Sequence, residues 1–170
     1  NSLYAPKFEI VEKPNDFIKN AKIQTGSEEL NKSQSERLVF WTRFNDVVSE
    51  RGKPFNLRKA TTDHWYDVAI GVSGVLVEIT LVNKERCVGI ALYIIDDKEL
   101  FDSLNEKKIE IESKLGFELD WQRVNNRKVS KIIYRIPGLN FDDHSNYDDL
   151  MNDIIDKVQL FVKVFKKYVK

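Results

Sequence analysis

Between His64 and Ile95 three runs rich in Val, Ile and aromatic residues follow one another: His64–Gly71, Val75–Val82 and Cys87–Ile95. Successive side chains of a strand point to opposite faces, so apolar residues at every second position mark a sheet with one buried face. The segment Gly71-Val72-Ser73-Gly74 reads as the first turn, with Ile70 paired to Val75, and Lys84-Glu85 reads as the second. In that register Tyr66, Val68 and Ile70 share a face with Val75, Val77, Ile79 and Leu81, and Val88, Ile90, Leu92 and Ile94 join them. A slip of one residue would turn this whole apolar set toward water, so the pattern predicts an antiparallel meander of defined register. Tyr66, Val77, Ile79, Ile90 and Leu92 are its expected core.

Such a face needs cover, and helical patterns flank it. Ser33-x-x-Glu36 reads as a capping box opening a helix to about Arg51, with Leu38, Trp41, Phe44 and Val48 on one side. Gly52 and Pro54 end it. Asp96 and Asp97 open a second helix that runs to about Leu115 and stops at Gly116. Strands near Leu119–Val124 and Val129–Ile136 flank the turn Asn125-Asn126-Arg127-Lys128. After Pro137-Gly138 a last helix spans about Ser145 to Tyr168, with Asp148, Asp149 and Asp153 early and Lys163, Lys166 and Lys167 late, as the helix dipole favours. The order αβββαββα defines an α+β domain, a mainly antiparallel sheet packed by helices. Its first six elements, αβββαβ, match the core order of restriction-endonuclease-like folds. Residues 1–33, with a strand-like run at Lys7–Glu12 between Pro6 and Pro14, read as a lead-in or inter-domain linker, and 34–170 as one domain.

Composition removes several classes of function. The chain carries 27 basic and 27 acidic residues, a formal net charge of +0, so it has no global field to draw in nucleic acid or anionic membrane. Any polyanion contact must be local. Cys87 is the sole cysteine, which excludes an internal disulfide and fits a reducing, cytoplasmic setting. No stretch approaches the roughly 18 apolar residues of a membrane span, and no signal peptide opens the chain. The chain starts at Asn1 and its one methionine is Met151, which reads as a C-terminal fragment of a longer protein. His64 and His144 lack partners at zinc-ligand spacing, and Gly52-Lys53 lacks the rest of a phosphate loop.

Two constellations carry chemistry. Asp67 falls directly opposite Glu78 on the face away from the core, and like charges so placed call for a cation, a basic neighbour or solvent. Nucleases of the αβββαβ type use carboxylates on adjacent strands to hold Mg2+, with a lysine two residues beyond the second acid. Here Glu78-Ile79-Thr80 puts threonine at that position, and Lys84 lies beyond the strand. Two half-exposed carboxylates on a sheet are the plainer reading, and Ala69, Gly89 and Ala91 would equally let that face receive a helix. The second constellation is basic: Arg123, Arg127, Lys128, Lys131 and Arg135 occur without an acid between Asp120 and Asp142, with Trp121 on the partner strand. Cations beside an aromatic suit phosphate contact and base stacking. An edge hairpin charged against aggregation is the alternative.

The order of these patterns resembles a prokaryotic family of domains of unknown function. The residues concerned are Phe40-Trp41-x-x-Phe44, Trp65-Tyr66 with Gly71 and Gly74, Leu92-Tyr93-Ile94, Lys98-x-x-Phe101-x-x-Leu104, Ile111-Glu112-x-x-Leu115-Gly116 and Leu119-x-Trp121. Ala5-Pro6-Lys7-Phe8 and Lys13-Pro14-Asn15 resemble the segment that joins such domains to the rest of their proteins. The resemblance implies the C-terminal part of a protein whose N-terminal part is nuclease-like and restriction-associated. It brings no catalytic residues, and it implies an acid where this chain has Ala91.

Three functions are thus expected to compete. The first is a non-catalytic accessory domain without a cofactor, binding DNA, a protein partner or the nuclease-like domain of its own protein. The second is a Mg2+-dependent nuclease with an altered site at Asp67 and Glu78. The third is a structural or oligomerisation module, which an exposed stripe of Leu160, Phe161, Val164 and Phe165 on the last helix would favour.

Overall fold

The computed structural model describes residues 30–170. Lys7–Glu12 and most of the expected lead-in lie outside the described residues. Helix α1 (Lys32–Glu50) is followed by strands β1 (Trp65–Val72), β2 (Val75–Val82) and β3 (Cys87–Ile95), with a 3-10 turn, Asn83–Glu85, before β3. Helices α2 (Lys98–Glu106) and α3 (Lys108–Leu115), strands β4 (Asp120–Gln122) and β5 (Val129–Pro137), and helix α4 (Tyr147–Val169) complete the described chain. The five strands form one sheet in the order β1-β2-β3-β5-β4, and every neighbouring pair is antiparallel. The molecule is an α+β domain in the expected helix-first order.

The meander holds the register that alternation demands. Tyr66, Val77, Ile79, Ile90, Leu92 and Ile94 are all fully buried, and with Val68, Ile70, Val75, Leu81 and Val88 they form the floor of one core. Helix α1 lays Phe40, Trp41 and Phe44 onto it, with the Trp41 and Tyr66 ring centroids 5.1 Å apart. The Tyr66 hydroxyl is satisfied inside this cluster. It donates to Asn45 Oδ1 at 2.7 Å and accepts from the Arg58 amide at 2.7 Å. Helix α4 buries Ile154, Val158, Phe161, Val164 and Phe165 against the same side. Leu160 is half-buried, so the stripe that would have favoured assembly is spent in the domain's own core.

Four local expectations are corrected. The β1–β2 turn joins Val72 to Val75, not Ile70 to Val75, and a bulge between Ala69 and Val72 takes up the difference. Gly71 and Gly74, at φ +85° and +79°, allow this tight return. Helix α1 is capped two residues early: Asn31 Oδ1 accepts from the Gln34 amide at 2.8 Å, and Gln34 Oε1 accepts from the Asn31 amide at 3.0 Å. Ser33 already lies within that helix, and Asn31 satisfies the free amide of Gln34 in its first turn. The single helix expected from Asp97 to Leu115 is interrupted at Lys107, and Gly116 ends its second half in the left-handed conformation. Finally, β4 is only three residues long, because the chain leaves the sheet at Arg123 for a loop that Lys98 holds.

The open face of the sheet as a candidate binding site

Among the described residues the helices contribute their buried side chains to one core, on one side of the sheet. The other side is built of three cross-strand rows. Asp67, Glu78, Ala91, Ile133 and Asp120 form the central row; Trp65, Thr80, Gly89 and Arg135 flank it on one side, and Ala69, Leu76, Tyr93, Lys131 and Gln122 on the other. Gly89 and Ala91 in β3 have almost nothing to project, so they form the floor of a depression of about 290 Å3. Glu78 and Thr80 make one wall, Lys131, Ile133 and Arg135 the other, and Tyr93 closes one end. A second hollow of about 380 Å3 shares Tyr93, Gln122 and Lys131 with the first and extends to Arg127 and Lys128 in the β4–β5 loop. The two hollows lie side by side on this face, one walled by Glu78 and the other reaching the basic β4–β5 loop.

Asp67 does face Glu78 across β1 and β2. Burial pushes the Glu78 carboxyl above the usual range, and the Asp67 charge pushes it further, while hydrogen bonds from Tyr93 and Thr80 act in the opposite direction. Thr80 Oγ1 lies 3.2 Å from Glu78 Oε1. Asp67 Oδ1 is buried and has no donor among the described residues. Tyr93 is held well above the range of a free phenol, first by burial and then by Glu78. On its other side, Lys131 Nζ sits 5.1 Å from the Tyr93 ring centroid. Ala91, where the resemblance implied an acid, stands in line with Asp67 and Glu78, so alanine keeps that row at two adjacent carboxylates. Among the described residues no three His, Cys, Asp or Glu side chains are grouped to hold a metal ion. Lys84 is exposed in the turn beyond β2.

The basic residues divide. Lys131 lines both hollows, and Arg127 and Lys128 are exposed beside the second with no ion pair among the described residues. Arg123 is bound to Asp102 of α2, with Nε 2.8 Å and Nη2 3.0 Å from the two carboxylate oxygens. Arg135 is bound to Asp120 at 2.9 Å. Trp121 pairs with buried Ile132 and so points to the helix side, where its Nε1 donates to Glu112 Oε2 at 3.0 Å and its ring packs on Phe101. Sequence reasoning placed the cations but not Tyr93 as their aromatic neighbour. Strand parity carried that information, since Tyr93 is two residues from Ala91 on the same face.

Among the described residues the fold is an α+β sandwich with helices on one side of the sheet and a polar face on the other. The model of the family described as Domain of unknown function (DUF4268) matches residues 36–169, and the chain belongs to that family. No curated protein and no solved structure matches it. No helix among the described residues is long and apolar enough to cross a membrane.

Proposed function

We propose that this domain is a non-catalytic accessory module that binds nucleic acid through the second hollow and basic loop of its open sheet face. It would serve a longer nuclease-like, restriction-linked protein, the setting its sequence resembles. The observation that carries this reading is the continuity of Tyr93, Gln122, Lys131, Arg127 and Lys128 along one hollow. Cations positioned beside an aromatic ring are what a phosphate backbone with accessible bases requires. A catalytic reading is weaker, because among the described residues no third acid joins Asp67 and Glu78 in a metal-holding group, and Thr80 stands where the nuclease pattern has lysine, its hydroxyl turned to Glu78.

With Arg123 and Arg135 engaged by acids, Arg127, Lys128 and Lys131 remain to meet phosphate. Three neutralised phosphates give a log–log salt slope of about −3 on duplex DNA, a modest dependence that goes with weak binding. Fluorescence anisotropy at a series of salt concentrations should return that slope for the parent. It should show a loss of about tenfold or more for Lys128→Glu, Lys131→Glu. Equal affinities of parent and variant would reject the hairpin and leave a protein partner as the better reading. Nicking of supercoiled plasmid with Mg2+ that disappears in Asp67→Ala would instead establish an enzyme.

A further inference from the structure

We propose that the free edge of β1 takes up an extended segment of a partner protein as an added strand, one that turns an apolar side chain flanked by carboxylates toward α4. This surface lies at the opposite end of the sheet from β4 and β5, so it is independent of the nucleic-acid reading above.

Three features of the molecule lead there. First, part of the edge is open. β1 ends the sheet, with β2 as its one strand neighbour among the described residues. The Leu81 amide donates to the His64 carbonyl at 2.7 Å. In that register Tyr66 and Val68 turn their peptide groups to β2, while Trp65, Asp67 and Ala69 turn theirs outward. At Trp65 the edge is closed, because Arg58 Nη1 donates to its carbonyl at 2.7 Å and the guanidinium lies 3.9 Å from the ring centroid. The outward peptide groups of Asp67 and Ala69 have no hydrogen-bond partner among the described residues, and Ala69 is exposed. Such a row is a template for one more strand. Second, a hollow of about 450 Å3 lies between this stretch of β1 and α4. Phe55, Val68 and Val162 give it apolar walls, and Lys163 and Lys166 line it from α4 with no acid among its lining residues. Both lysines are exposed and neither has an ion pair among the described residues. Third, these groups converge on one ligand shape. Alternate side chains of an added strand fall on the helix side, where they meet the apolar walls and the two cations. Those between fall beside Asp67, which disfavours acids there. An apolar residue with an acid two positions away therefore satisfies the hollow while its backbone satisfies the edge. A nucleic-acid strand would use the lysines but leave the outward carbonyls and the apolar walls unmatched. A second copy of β1 would bring the same pair of lysines to the edge, and like charges oppose it.

The test uses the whole 170-residue chain and labelled heptapeptides with blocked ends. One is Thr-Glu-Thr-Leu-Thr-Glu-Thr, which reads alike in either strand direction; the other replaces both Glu by Lys. Fluorescence anisotropy should show saturable binding of the Glu peptide to the parent and binding of the Lys peptide weaker by about tenfold, the range of two exposed ion pairs. Lys163→Glu, Lys166→Glu, checked for an unchanged circular dichroism spectrum, should invert that preference. Two N-methylated forms of the Glu peptide, one at odd and one at even positions, read the strand pairing. One set of amides faces β1 and the other faces solvent, so one form should lose binding and the other keep it. Ala69→Pro removes an outward N–H and should abolish binding; where that variant does not fold, the methylated pair gives the same reading. Lys128→Glu, Lys131→Glu should bind the Glu peptide as the parent does, whatever it does to nucleic acid. The proposal is overturned if the parent binds neither peptide, if the two methylated forms bind alike, or if an oligothymidine displaces the Glu peptide, which would assign the lysines to phosphate. A parent that sediments as a dimer, with the dimer lost in Ala69→Pro, would give the edge to a second copy and equally overturn it.

Discussion

Glu78 concentrates the tension of this fold into one side chain. Its backbone belongs to a strand that the core requires, and alternation therefore turns its carboxylate toward Asp67 on the opposite face. Burial there raises its pKa above 4.5, with the Asp67 charge adding to the effect. The sign of the pH dependence follows. A carboxyl that holds its proton more tightly when folded contributes stability that is complete below its unfolded pKa and is lost as pH rises through the folded one. Glu78→Gln removes this titration, so the variant should melt above the parent at neutral pH, and the gap should close as pH falls below 4.5. Melting temperatures across this range read the effect directly. A gap of constant size at every pH would show that the carboxylate is not under strain.

At the scale of elements, the β4–β5 hairpin depends on a residue far from it in sequence. Lys98, in the first turn of α2, donates to the carbonyls of Arg123 and Val124 at 2.5 and 2.9 Å and to Ser130 Oγ at 2.7 Å. Ser130, itself fully buried, passes the network on by donating to the Arg123 carbonyl at 2.8 Å. This explains how a loop with Val124 at φ +51° keeps a defined shape behind a strand of only three residues. Lys98→Met preserves the stem and removes the ammonium. Loss of charged hydrogen bonds to half-buried acceptors should cost about 2–3 kcal/mol in urea unfolding. Because the loop carries Arg127 and Lys128, the same change should weaken binding of nucleic acid even where the protein remains folded. A variant as stable as the parent would show that the loop is held by its own turn chemistry.

For the molecule as a whole, α4 is the element that makes the sheet one-sided. It packs against β1, β2, β3 and α3, and buries Phe161 completely beside Phe117 and Phe165. Phe161→Ala should destabilise the domain by about 3–5 kcal/mol, the cost of a large buried cavity, measurable by chemical denaturation. Among the described residues every helix packs on one side of the sheet, so the small residues Gly89 and Ala91 on the other side line a depression and do not join the core. Unfolding of the Phe161 variant at an unchanged denaturant midpoint would show that α4 is not essential to the core.

Local chemistry determined much of this. Alternation alone placed Tyr66, Val77, Ile79, Ile90 and Leu92 in the core, and put Asp67 opposite Glu78, because a strand has no freedom in which face a residue takes. Helix ends were legible from Asp97, Gly116 and the charges of α4, while the start of α1 moved by two residues because Asn31 and Gln34 cap as well as Ser33 and Glu36 could. What no local pattern could say is which cations stay free. Arg123 and Arg135 are as basic in sequence as Arg127 and Lys128, and only the packing of α2 and β4 sets Asp102 and Asp120 against them. The same holds for Trp121, turned to the helix side by its pairing with Ile132, and for Tyr93, brought beside Lys131 by the insertion of β5 next to β3. Alternation acts along one strand and is written in the chain; the order in which strands join a sheet depends on contacts between distant segments, so the hollows exist only in the folded molecule.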